Sequence, residues 1–200
     1  MKKLVSLLLV AVMALTCVAC GGNNGGNAGG NGSYKDATEL LTNAWNEYNN
    51  TVEEDLKFSV GGGNIENFEL IVMDAPGKCD TSLTDAKEVL SSSFCIPVET
   101  IDLTDDVANM MNMMMANNFS AAAYHVTDAA NVEKVISDIK DATLGNRWMC
   151  GFPEKLIIVT VGEDYVVSAF GNGMVIDAFK DALTSVYGSA AVVSVEETIE

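Results

Sequence analysis

The sequence predicts an α+β domain built on a ferredoxin-like split β-α-β-β-α-β unit with an antiparallel sheet, over about residues 119–195. Three observations carry that prediction. Two apolar stripes at helical spacing stand apart in the chain: Val132, Val135, Ile136 and Ile139, then Ile176, Phe179, Leu183 and Val186. Between them, residues 156–161 and 165–170 are two β-branched runs separated only by Gly162-Glu163-Asp164, a hairpin signal. A strand-like segment precedes the first stripe and another follows the second, which gives the order strand, helix, strand, strand, helix, strand.

Taken in order, residues 119–126 supply the first strand, and Asp128 offers an N-cap to the first helix, which Gly145 ends. The hairpin follows a loop over 146–154. The second helix ends at Gly188, and residues 190–195 form the last strand. Both helices are expected on one face of the sheet. Upstream lies an elaboration of helices and short strands. Residues 34–48 form an amphipathic helix carrying Leu40, Leu41, Ala44, Trp45 and Tyr48. Residues 57–60 and 68–73 are short strand candidates, 74–77 a turn and 84–90 a short helix.

A longer helix is expected over 104–115, capped by Thr104 with Asp105 and Asp106 in its first turn. It carries Met110, Met111, Met113, Met114 and Met115. Thioethers are soft ligands, so copper(I) is one reading, but on a helix five such positions span more than half the circumference and cannot converge on one ion. Methionine also fills irregular core gaps and lines adaptable grooves for peptides. These five residues are therefore read as core or as a contact for a partner.

The N-terminus gives an address. Lys2 and Lys3, a mostly apolar run to Val18 and then Ala19-Cys20-Gly21 match a lipoprotein export signal, too short for a comfortable membrane span. Residues 1–19 would leave as the signal, and Cys20 would carry lipid. Residues 20–33 then form a Gly/Asn-rich tether with an r.m.s. span of about 20 Å and a stretched limit near ~45 Å. The rest, 34–200, suits a single α+β domain.

The formal charge of −17 grows more negative by two once Lys2 and Lys3 leave. That excludes nucleic acid as a partner, because phosphate binding needs clustered cations. It also leaves membrane attachment to the lipid. Cys79, Cys95 and Cys150 are odd in number, and nothing in the sequence selects a disulfide pair. No zinc spacing is present, and His125 is the sole histidine, with no partner at a defined distance. No cofactor or metal is expected. Cys150 stands in Trp148-Met149-Cys150-Gly151-Phe152-Pro153, where Pro153 forbids the helix that a redox cysteine would open, so it reads as a buried structural cysteine. Gly171-Asn172-Gly173 could cradle an anion before a helix, but Ile176 replaces the third glycine of a dinucleotide fingerprint, and a turn is the plainer reason.

Met73-Asp74-Ala75-Pro76-Gly77-Lys78, Ala116-Asn117-Asn118-Phe119, Asn146-Arg147-Trp148-Met149-Cys150-Gly151-Phe152-Pro153 and the strand over 165–170 resemble segments of small, uncharacterised cell-surface lipoproteins of Gram-positive anaerobic bacteria. The resemblance covers about residues 55–188. It implies an outer-surface, membrane-tethered protein and carries over no catalytic or ligand residue. The sequence thus leads to the expectation of an exported lipoprotein, not an enzyme, held at the outer face of the cytoplasmic membrane as a binding or accessory domain for a protein or peptide. The alternatives are a surface enzyme using the Cys150 thiol and a small-molecule carrier.

Overall fold

The computed structural model describes residues 32–57, 64–65, 68–72, 76–82, 84–112 and 118–200. The signal, Cys20, the tether up to residue 31, Met113, Met114 and Met115, and the expected strand and turn at 58–60 and 74–75 lie outside the described residues.

The chain forms α1 (Ala37–Thr51), β1 (Asn64–Ile65), β2 (Phe68–Val72), β3 (Gly77–Cys79), α2 (Thr84–Phe94), α3 (Val98–Ile101), β4 (Thr104–Asn112) and β5 (Phe119–Val126). It continues through α4 (Val132–Gly145), β6 (Lys155–Val161), β7 (Tyr165–Gly171), α5 (Gly173–Tyr187) and β8 (Ala191–Thr198). The fold is α+β: β1 and β2 pair as a small ribbon, and six antiparallel strands run β3-β4-β5-β7-β6-β8. The split β-α-β-β-α-β unit from β5 to β8 is present with the expected hairpin, in register from Lys155 opposite Gly171 to Val161 opposite Tyr165. Gly162 turns that hairpin at φ 71°.

The two helices of the unit differ from expectation in their placement. β8 adds outside β6 rather than beside β5, so the crossovers β5 to β6 and β7 to β8 advance in the same direction while their strands run oppositely. Right-handed crossovers of that kind carry their helices to opposite faces. Accordingly α5 joins α1 over one face, where Leu40, Leu41, Phe179 and Leu183 pack on Ala121, Ile157, Val159 and Val167. On the other face α4 joins α2 and α3, where Val135, Ile139, Leu90 and Phe94 pack on Ala122, Tyr124, Ile158 and Val166. The sheet is the middle of three layers, and β7 is buried along its entire length.

The expected helix over 104–115 is also corrected. Residues 104–112 form β4, paired antiparallel to β5 from Thr104 opposite Val126 to Asn112 opposite Phe119. Met110 is fully buried in the α1/α5 layer, and Met111 points to the opposite layer, partly buried. A strand covered on both faces shows no alternation of apolar and polar residues, so its period of two is invisible and the Thr104 cap signal prevails.

The segment that leads into α1, where an N-terminal tether would join, is fixed. Gly32 N–H donates to the Val186 carbonyl at 3.0 Å, and a Cβ there would lie 2.6 Å from Val186 Cγ1. Tyr34 stands edge-on to Tyr165 and Tyr187, with ring centroids 5.0 and 5.5 Å away, and its hydroxyl donates to the Val161 carbonyl at 3.2 Å. Burial beside Asp164 pushes that phenol up to about 12. Chain order thus places the root at the end of the sheet where β6 stops and β7 starts.

Candidate functional site: a groove at the far end of the sheet

At the opposite end, where β4 and β7 stop and β5 starts, the strands leave a groove of about 280 Å³. Its floor is Phe119, Ser120, Phe170 and Gly171, and one side is Met111, Asn112 and Asn118. The end of α2 gives Ser92 and Ser93, and the loop between α4 and β6 closes the other side with Trp148, Cys150, Gly151 and Pro153. None of these residues carries a carboxylate or an ammonium, in a chain with 28 acidic residues.

Local physics sets each wall. Phe119 packs edge-on to Phe179 with centroids 4.9 Å apart, which ties the groove floor to the core. Trp148 leans on Phe170 at 5.2 Å. Gly171 adopts φ 155°, and a Cβ on it would fall 2.1 Å from the Asn118 carbonyl oxygen, so only glycine lets β7 end against the start of β5. The neighbouring Asn172 N–H donates to that same carbonyl at 2.9 Å. Asn172 also caps α5, accepting from Met174 N–H and Val175 N–H. The anion cradle considered at 171–173 is filled from within: the Glu154 carboxylate accepts from Gly173 N–H at 2.8 Å and from Asn172 Nδ2 at 3.3 Å.

Two polar atoms of groove-lining residues, Trp148 Nε1 and Asn118 Oδ1, are buried with no hydrogen-bond partner among the described residues. The loop that carries the groove-lining Trp148 and Cys150 also exposes Met149, at 91% of its free surface, and Phe152, at 65%. Arg147, next to Trp148, is exposed as well.

Cys79, Cys95 and Cys150 form no disulfide among the described residues. Cys79 is buried, which pushes its thiol up to about 12 despite the Asn109 amide that donates to its sulfur. Burial raises Cys95 too, against hydrogen bonds from Thr143 and Asn146. Cys150 is exposed on the groove wall rather than buried as the sequence suggested. Its loop lacks helical structure, as Pro153 required.

His125 is where sequence reasoning missed most. It lies at the tether end, with Nδ1 2.5 Å from Asp105 and Nε2 3.2 Å from Asp164, its ring 4.8 Å from that of Tyr165. Partial burial lowers its pKa, but the hydrogen bonds and charges of Asp105 and Asp164 outweigh that, and the net shift is upward. The signal was the β4–β5 register, which sets Asp106 opposite His125 with Asp105 at an irregularity, and which is legible only once 104–112 is a strand. Nearby, Asp106 accepts from Ala37 N–H at 2.7 Å and pairs with Lys78 at 3.1 Å.

Among the described residues no group of three or more His, Cys, Asp or Glu side chains could hold a metal ion, and no helix is long and apolar enough to cross a membrane. Fold and site together define an antiparallel α+β domain with an uncharged end-on groove. Compared with protein-family profiles, curated proteins and solved structures, the chain matches none.

Proposed function

We propose that this chain is an exported lipoprotein, anchored through Cys20 at the outer face of the cytoplasmic membrane, whose groove receives an apolar peptide segment of a protein partner. The observation that carries the reading is the uncharged, largely apolar groove at the end of the sheet away from the tether root. From Phe119 to His125 the intervening strand is about 20 Å long, so the groove is held clear of the point where the anchor enters. A peptide suits the lining because the groove is largely apolar yet carries the hydroxyls of Ser92, Ser93 and Ser120, which can pair with a peptide N–H or C=O. At about 280 Å³ the space is at the small end for ligand sites, which favours one large side chain over a bulky small molecule.

The thiol-dependent alternative has Cys150 in a suitable place, but His125, the sole histidine, is held by two aspartates at the other end of the sheet and cannot serve as its base. Photo-crosslinking on intact cells tests the binding reading. A photoreactive residue at Met149 is expected to capture a discrete protein, one at Glu163 in the opposite turn is not, and Cys20→Ser should abolish fatty-acid labelling. Equal capture from both positions would reject the groove as the binding surface, and retained labelling in Cys20→Ser would reject the anchor.

A further inference from the structure

A neutral imidazole carries one N–H and one bare nitrogen, whereas an imidazolium carries two N–H groups. His125, near the end of β5, has a carboxylate on each nitrogen: Asp105 of β4 lies 2.5 Å from Nδ1, and Asp164, in the turn between β6 and β7, lies 3.2 Å from Nε2. Only the protonated ring can donate to both. The turn that holds Asp164 is also where Tyr34 is seated, since the Tyr34 hydroxyl donates to the Val161 carbonyl at 3.2 Å and a Cβ on Gly162 would stand 3.0 Å from that hydroxyl. The Tyr165 ring joins the two places, 4.8 Å from the ring of His125 and 5.0 Å from that of Tyr34. One proton therefore bears on β4, β5, the β6–β7 turn and the segment leading into α1.

We propose that His125 is a proton-operated clasp: the imidazolium ties Asp105 to Asp164, and the neutral ring keeps its Nδ1–H on Asp105, releases Asp164 and loosens the turn over 162–164 against Tyr34. Asp105 is the partner retained because its contact is the shorter, and a bare Nε2 facing the Asp164 carboxylate sets lone pairs against lone pairs. The other charged or titratable groups around this spot are Asp106 on β4, Lys78 on β3, the exposed Glu163 in the turn, Tyr165 on β7, and Tyr34, Lys35 and Asp36 before α1. Asp106 is taken up by Lys78 at 3.1 Å and by the Ala37 N–H at 2.7 Å. Burial holds Tyr34 and Tyr165 above their usual range, and Asp106 holds Lys78 above its own, so none of these three changes charge between pH 6 and 9. His125 is the side chain here that titrates in that interval, and burial lowers it less than Asp105 and Asp164 raise it. The consequence is regulatory: acid surroundings tighten the join between the domain and the segment leading into α1, and alkaline ones loosen it.

The test is NMR on the full chain in detergent with isotope-labelled histidine, followed by amide exchange; His125 is the sole histidine, so its two ring nitrogens are read directly. From pH 6 to pH 9 the ring is expected to pass from both nitrogens protonated to Nδ1–H alone. In step with that change, the exchange protection of Gly162, whose N–H donates to the Ala190 carbonyl at 3.1 Å, should fall about fivefold once the intrinsic base-catalysed rate is divided out, the scale of one partly exposed ion pair. Protection at Glu154, whose N–H donates to the Gly171 carbonyl at 2.8 Å at the other end of the sheet, should stay constant. In His125→Gln and in Asp164→Asn the fall at Gly162 should vanish. A ring that keeps both protons to pH 9, a neutral ring that carries Nε2–H, or protection at Gly162 that does not follow the ring would overturn the clasp. An equal fall at Glu154 would replace local release by a loss of global stability, and a fall that persists in His125→Gln would assign the switch to another group. None of these readouts depends on what the groove binds.

Discussion

The two ends of the sheet satisfy their polar groups in opposite ways. At the end where the chain enters α1 several polar groups are answered from within the chain: Asp106 by Lys78 and the α1 amide, Asp105 and Asp164 by His125, and the Tyr34 hydroxyl by Val161. At the groove end Trp148 Nε1 and Asn118 Oδ1 have no hydrogen-bond partner among the described residues, and Met149 and Phe152, in the loop that carries Trp148, stand in solvent. A protein removes such costs where nothing else requires them, so the difference between the two ends is what the proposed groove function has to explain. Stability and binding should therefore respond differently to substitutions at the two ends.

The largest effect is expected at Gly171. Alanine there meets the Asn118 carbonyl oxygen at 2.1 Å and must hold φ 155°, so β7 and β5 have to part at the groove floor. Backbone strain and overpacking together should cost about 4 kcal/mol, read as a lowered urea midpoint with loss of peptide binding. A cost below about 1 kcal/mol would mean that the close approach is not needed. At the tether end the comparable change is Tyr34→Ala, which removes two edge-on ring contacts and a hydrogen bond and should cost about 3 kcal/mol. It should also speed proteolysis near residue 33 while peptide affinity at the groove stays as it was. If Tyr34→Ala weakened binding as much as Gly171→Ala, the two ends would not be separable.

This division was only half legible in the sequence. The hairpin and both helices of the split unit could be read because each is a local pattern: apolar stripes at helical spacing, Gly162 at a turn, and Gly188 ending α5 at φ 54°, although Asp128, read as the cap of α4, caps the 3-10 turn over Ala129–Asn131 that precedes it. The groove could not, since its walls come from the end of α2, the ends of β4, β5 and β7, and the loop over 146–153, which only register brings together. Reading 104–115 as a helix compounded this. It hid the pairing that sets Asn112 against Phe119 at the groove and Asp106 against His125 at the other end, and it put all five methionines on one helix, as core or partner contact, whereas on the strand Met110 is core and Met111 lines the groove. The exposed position of Cys150 followed from the same missing information, because a lone cysteine in a loop has no local signature of burial.

The smallest effect, and the sharpest probe of the satisfied end, is the pH dependence of stability at His125. Its folded pKa is raised above the ordinary value of about 6.5, so protonation favours the folded chain. The contribution is complete below the unfolded value and disappears as the pH climbs through the folded one, leaving Asp105 and Asp164 beside a neutral ring. Between pH 6 and 8 Cys79 and Cys95, raised by burial, stay neutral. The slope in that window therefore isolates the histidine from these groups. Wild type should lose stability from pH 6 to pH 8 by up to about 1 kcal/mol, the scale of a partly exposed ion pair, and His125→Gln should flatten the curve. The groove end provides the control, since Arg147→Ala, in the loop that carries the groove-lining Trp148, lies away from His125 and should leave the slope untouched. Parallel curves for wild type and His125→Gln would show that Asp105 and Asp164 do not depend on the imidazolium, and the tether end would then be no better satisfied than the groove.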